Sequence, residues 1–139
     1  MKKDRYSTFI FLLILMLHIS HGYAQSDKFE QLKQKDISKM TLKECEEAQS
    51  ICDSIITACA DLDEQKVIDA LLIKARINRK KCQEISRSFG ESARHSLHKA
   101  LEKQPNNPEL LNEMALVTKA VAGKESIRVD LGISDLWEV

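Results

Sequence analysis

Glycine and proline are scarce, with four and two residues in a chain of 139, and aromatic side chains make up only 5%. Sandwiches and barrels need turn formers and aromatic or β-branched residues at short intervals, so the composition argues against both. Neither sign of charge is in excess, since 21 Lys and Arg balance 21 Asp and Glu. That argues against a strongly basic nucleic-acid binder, and the 43% hydrophobic content argues against a disordered chain. The chain carries no Gly-rich phosphate loop, Gly-x-Ser-x-Gly elbow, metalloprotease helix motif, Cys-x-x-Cys or Cys-x-x-Cys-His. The residues therefore point to no phosphate-loop, acyl-transfer, zinc-protease or thioredoxin-type chemistry and to no covalent haem. The expectation is an all-α, non-enzymatic protein with no cofactor and no resident metal. It is a small helical bundle or hairpin with heptad-patterned helices, and its one non-helical candidate is a short C-terminal strand.

Met1-Lys2-Lys3-Asp4-Arg5 is a basic start, Phe9 to Leu17 is an unbroken apolar run, and Gly22-Tyr23-Ala24 places small residues at the −3 and −1 positions of a cleavage site. This is the pattern of a signal peptide cut after Ala24. A membrane span needs about 20 apolar residues, and this run meets His18, Ser20, His21 and Gly22 first. A membrane becomes a partner only if the segment stays uncleaved. Cleavage would remove three basic residues and one acidic residue, leaving a net charge of −2. The expected location is secreted or periplasmic.

An exported chain meets an oxidising compartment, so Cys45, Cys52, Cys59 and Cys82 are disulfide candidates. The first three are seven apart, about 10 Å along one helix face. They cannot pair with one another on a shared helix, because bridged Cα atoms must lie within about 7 Å. The expected bridge joins Cys45 to Cys82. Cys52 and Cys59 are then left either buried as small hydrophobes or available to a second chain in a homodimer.

Between Ser26 and Phe89 there is neither Gly nor Pro, so helix is the default there. Phe29, Leu32 and Ile37 suggest a short lead helix over 27–39. Thr41-Leu42-Lys43-Glu44 has the form of a capping box. After it, Cys45, Ala48, Cys52, Ile55, Cys59 and Leu62 step 3, 4, 3, 4, 3, which is a heptad seam. The seam then shifts by two residues, to Ile68, Leu71, Ala75, Cys82, Ile85 and Phe89. Asp61-Leu62-Asp63-Glu64 forms a second, acidic capping signal at the shift. Residues 41–69 carry a net −6 and residues 70–103 a net +6. An antiparallel hairpin sets those charges side by side, whereas one continuous helix does not, so two helices are expected. Gly90 is placed as a helix C-cap, Ser92 as the next N-cap, and Asn107-Pro108 as a further start closed by Gly123. The resulting division is a leader 1–24, a lead segment 25–40, a helical domain 41–123 and a tail 124–139. Helices are predicted near 42–60, 63–89, 92–104 and 108–122.

In the tail, Ile127, Val129, Leu131 and Ile133 alternate with Ser126, Arg128, Asp130 and Gly132, which is a strand signal. An unpaired strand is a template for a partner's sheet edge, and Trp137 and Val139 resemble apolar anchors captured by pockets of the PDZ type. The opposing expectation folds the same residues back, with Trp137 as a plug for the bundle.

The stretch from Ala93 to Glu109 is similar to the second helix and closing loop of a tetratricopeptide repeat. Ala93, Leu97, Ala100 and Pro105 match its small, bulky, small and proline positions, and Leu111, Met114, Ala115 and Gly123 resemble the first helix of a following repeat. The resemblance covers about residues 93–123 and implies peptide or protein binding rather than catalysis. An apolar N-terminus followed by a Cys-bearing helical region also looks like phage lysis proteins that act as membrane-anchored coiled coils, and that comparison needs an uncleaved segment.

His95 and His98, three apart on one helix, are the sole histidines after the leader. Two ligands do not make a zinc site, and such a pair is ordinarily a solvated face. Arg76, Arg79, Lys80, Lys81 and Arg87 form a basic cluster. Its nearest acidic neighbour is the segment just upstream, so nucleic acid is not expected as a partner. The functional expectation is an exported module that presents a groove or an edge to a protein partner. A small secreted toxin or effector fits the same size, export and cysteines.

Overall fold

The computed structural model describes residues 3–60 and 63–130. They form five α-helices and one 3₁₀ turn: α1 (Lys3–Lys33), the turn Ile37–Lys39, α2 (Leu42–Ala58), α3 (Glu64–Glu84), α4 (Ser88–Lys103) and α5 (Pro108–Asp130). The chain divides into two units after Lys35. In the first unit, α1 runs unbroken through Ala24, so residues 27–33 end a long helix rather than forming a separate lead helix. Phe9 to Leu17 are exposed along it. Among the described residues no helix is long and apolar enough to cross a membrane.

The second unit is a helical bundle in which α2, α3 and α5 start at side-chain caps. At α2 the Glu44 N–H donates to Thr41 Oγ1 at 3.2 Å, and the Thr41 N–H donates to Glu44 Oε2 at 2.8 Å. This completes the capping box, worth about 1 kcal/mol. α3 starts from Asp63, whose Oδ1 accepts from the Lys66 N–H at 3.0 Å. Asn107 Oδ1 accepts from the N–H groups of Glu109 and Leu110, and Pro108 takes the first turn of α5, where its missing donor costs nothing.

α2 and α3 form the expected antiparallel hairpin. Lys74 Nζ meets Asp53 Oδ1 at 2.5 Å, while seven residues further along α3 Lys81 Nζ donates to Gln49 Oε1 at 3.1 Å, four residues earlier on α2. α4 packs on α3, and α5 packs on both. Their shared core holds Ile68, Leu71, Ala75, Cys82, Ala93, Leu97, Ala100, Leu110, Val117 and Val121.

Three sequence expectations are corrected. α3 ends at Glu84, not at 89, and α4 begins at Ser88, not at Ser92. The chain breaks because Ser86 competes for the backbone: its Oγ accepts from the Ser88 N–H at 3.4 Å and bonds Ser88 Oγ at 3.1 Å. Ile85, expected on the apolar seam, is therefore exposed. Gly90 is not a C-cap. It lies in the first turn of α4, where a Cβ would overlap Val121 Cγ2 and sit 3.1 Å from Cys82 Sγ. Finally, the C-terminal strand is not formed over residues 126–130, because α5 continues through Gly123 to Asp130 and carries Ile127 and Val129 within the helix. A single interior glycine weakens a helix by about 1 kcal/mol but does not end it. Leu131, Ile133, Trp137 and Val139 lie outside the described residues.

The two glycines predict opposite outcomes. Gly90→Ala forces the α3–α4–α5 junction apart and lowers stability by about 1–3 kcal/mol in urea denaturation. Gly123→Ala, where a Cβ meets nothing within 4 Å, raises it by about 1 kcal/mol. Equal effects at both positions would contradict the close approach at Gly90.

Candidate functional site

α2, α3 and α4 converge on a groove of about 520 Å³. Its floor is Ile56, Val67 and Leu71. Val67 and Leu71 belong to the main core and are each only 5% exposed, while the partly buried Ile56 packs against it, so the groove lies directly over the apolar interior and Ile56 is the floor side chain it presents most. The rim is polar: Lys74, Lys99 and Lys103, with the imidazole of His95, stand against Asp53 and Glu102. Helical spacing explains the α4 side. Ala93, Leu97 and Ala100 turn inward, which leaves His95, Lys99, Glu102 and Lys103 as a stripe on one flank. Ser96 is buried, and its hydroxyl donates to the Ser92 carbonyl oxygen at 3.2 Å, so it offers no free donor.

Part of the rim is already neutralised. Lys74 is held by Asp53, and Lys103 Nζ lies 3.5 Å from Glu64 Oε2. Lys99 and His95 have no hydrogen-bond or ion-pair partner among the described residues, so they are the groups open to an incoming anion. A second depression, of about 660 Å³, lies on the outer face of α2 among Glu46, Gln49, Ser50, Asp53, Ser54 and Thr57. The Ser54 hydroxyl donates to the Ser50 carbonyl and the Thr57 hydroxyl to the Asp53 carbonyl, at 3.0 Å each. With no buried apolar side chain beneath it and its hydroxyls spent on their own helix, this face is the poorer docking site.

The sequence-derived site residues are dispersed. All four cysteines are free thiols, and the expected bridge between Cys45 and Cys82 is not formed. The register was right and the face was wrong. Cys45 lies in the field of Lys80, Lys81 and Glu84, at the level of Cys82. Cys82 points about half a helical turn away from that group, toward Gly90 on α4. Cys52 is fully buried, and Cys59 is half-buried against the main core. Burial pushes the Cys45 thiol up and raises Cys52 to about 12, the reverse of what a nucleophilic or redox cysteine needs. His95 lines the groove, whereas His98 is exposed and outside it. Among the described residues no group of three or more His, Cys, Asp or Glu is placed to hold a metal.

The basic cluster on α3 is consumed internally, though not by the partner the charge pattern suggested. Arg79 Nε meets Glu113 Oε1 at 2.5 Å, Arg76 Nε lies 3.6 Å from Glu113 Oε2, and Arg76 Nη2 meets Glu109 Oε1 at 2.7 Å, all on α5. Lys80 pairs with Glu84 and donates to the Ser38 carbonyl at 3.0 Å. Lys81 is buried between Gln49 and the Phe89 ring, 5.4 Å from its centroid. Glu113, only 2% exposed, was missed by the sequence reading. Its signal was nonetheless present: it sits in step with Leu110, Val117 and Val121 on the apolar stripe of α5. The groove residues Ile56, Lys74, Lys99 and Lys103 were missed as well, because a charged stripe reads as a solvated face until a neighbouring helix walls it.

The Cys52 thiol gives a pH test. Its ordinary value is 9.0, and the folded value is about 12. Below the unfolded value the thiol is protonated in both states and stability is unaffected. Between the two values only the folded chain keeps the proton, so stability falls as pH rises. Cys52→Ala should remove about 1.4 kcal/mol per pH unit of that alkaline slope, measured by urea denaturation at stepped pH. Identical slopes in the two proteins would contradict the burial of this thiol.

Compared with known proteins, the chain matches no family model, no curated protein and no solved structure.

Proposed function

We propose that this chain is a non-enzymatic exported module that binds a protein segment in the groove between α2, α3 and α4. The observation that carries the reading is the combination of the apolar floor, Ile56, Val67 and Leu71, with the unpaired Lys99 and His95 at its edge. Peptide-binding sites are concave, largely apolar, and oriented by a few polar groups. A segment with two or three apolar side chains and one or two carboxylates satisfies floor and rim together. The likeness of residues 93–123 to a tetratricopeptide repeat supports the same use, since that family's role is peptide and protein binding. Export rests on the basic start, the apolar run Phe9–Leu17 and the small residues before Gln25.

Selection of peptides from a random displayed library tests the reading. The expected winners carry apolar residues flanked by Asp or Glu, and their affinity for a Lys99→Glu, Lys103→Glu variant falls about tenfold or more. A library that yields no binder, or binders indifferent to those substitutions, would refute the groove as the site.

A further inference from the structure

We infer that the segment this groove accepts is residues 131–139 of a second copy of the same chain. The inference rests on the groove reading above and adds its occupant. Complementarity is the first argument. Leu131 to Val139 contains Asp135 and Glu138, no basic residue, and the apolar side chains Leu131, Ile133, Leu136, Trp137 and Val139. That is the chemistry the floor and rim call for: apolar groups for Ile56, Val67 and Leu71, and carboxylates for Lys99 and His95.

Reach decides between the chain's own groove and that of another copy. α3 and α5 run in the same direction, because Arg76 meets Glu109, Arg79 meets Glu113, and Gly90 abuts both Cys82 and Val121. Asp130 therefore lies 17 residues past the level of Arg79, about 26 Å along α5. Leu71, on the groove floor, lies eight residues in the opposite direction, about 12 Å. Nine residues span at most about 32 Å when fully extended, against roughly 38 Å from the end of α5 to the groove floor. The segment falls short of its own groove floor, so seating its apolar side chains there takes a groove on another molecule. Such a contact joins two different surfaces, so it closes only by reciprocal exchange or in a ring.

Complementation with the full chain tests this. One variant stops after Asp130, retaining the groove and losing the segment. The other carries Lys99→Glu and Lys103→Glu, retaining the segment and losing the rim charge. Sedimentation across the micromolar range is expected to show association of the wild type, at least tenfold weaker association of each variant alone, and partial recovery, through a single segment–groove contact, when the two are mixed. The emission of Trp137, the single tryptophan, should move to the blue with association. Folding of each variant is checked by its melting curve.

Association that survives in either variant alone overturns the inference, as does a Trp137 emission that is blue-shifted and independent of concentration. A wild type that stays monomeric also overturns it. Failure here combined with loss of the selected peptides in the charge-reversed variant leaves the groove reading standing with a different occupant. Failure of both removes the groove as well.

Discussion

Every other element of the second unit leans on α3. The 3₁₀ turn, α2, α4 and α5 all contact it, and its buried residues occur around nearly the whole helix: Val67, Ile68, Ala70, Leu71, Leu72, Ile73, Ala75, Ile77, Asn78, Lys81 and Cys82. A helix that is apolar on more than one face can be stable only if it is surrounded. Its neighbours are therefore not independent additions. Removing any one of them exposes an α3 face, at a cost of about 25 cal/mol for each Å² of apolar surface returned to water. The groove lies over this enclosure, where Val67 and Leu71, each only 5% exposed, come nearest to solvent between the edges of α2 and α4.

The charged side chains of α3 set which neighbour lies where. Lys74 is directed to Asp53 on α2, Arg76 and Arg79 to Glu109 and Glu113 on α5, and Lys80 to the carbonyl of Ser38. Exposed pairs of this kind contribute at most about 1 kcal/mol each. Glu113 differs. Its carboxylate is almost wholly enclosed, so an α5 shifted by one turn would strand a buried charge, costing about 3–5 kcal/mol. Register is thus held less by the pairs that form than by what a slipped register would leave unpaired. Gly90 acts in the same direction, since the meeting of α4 with Cys82 and Val121 leaves no room for a side chain.

The hairpin was legible because two local signals agreed. The heptad seam from Cys45 to Ile55 marked the buried face of α2, and opposite net charges pointed to α3, where Lys74 does meet Asp53 although Arg76 and Arg79 turn to α5 instead. The capping box at Thr41 and the Asn107-Pro108 start were legible for a simpler reason: each is satisfied by residues within three positions. What stayed hidden depended on third helices. The close approach that demands glycine at position 90 is made by Val121, thirty-one residues away. Alternation over residues 126–130 reads as a strand, yet the helix arriving from Pro108 carries through it. The groove rim required knowing that α2 flanks α4, and the pairing of Cys45 with Cys82 required knowing on which side of α3 each lies.

Native-state hydrogen exchange measures the central role of α3 most directly. If α3 is the shared support, the amides from Leu71 to Cys82 exchange only through global unfolding, with a free energy equal to that from urea denaturation. The amides of α2 and of the last turns of α5 exchange through smaller openings. Exchange of the α3 amides at a lower free energy than those of α4 or α5 would contradict the account, because it would mean that the bundle can stand while its supposed support opens.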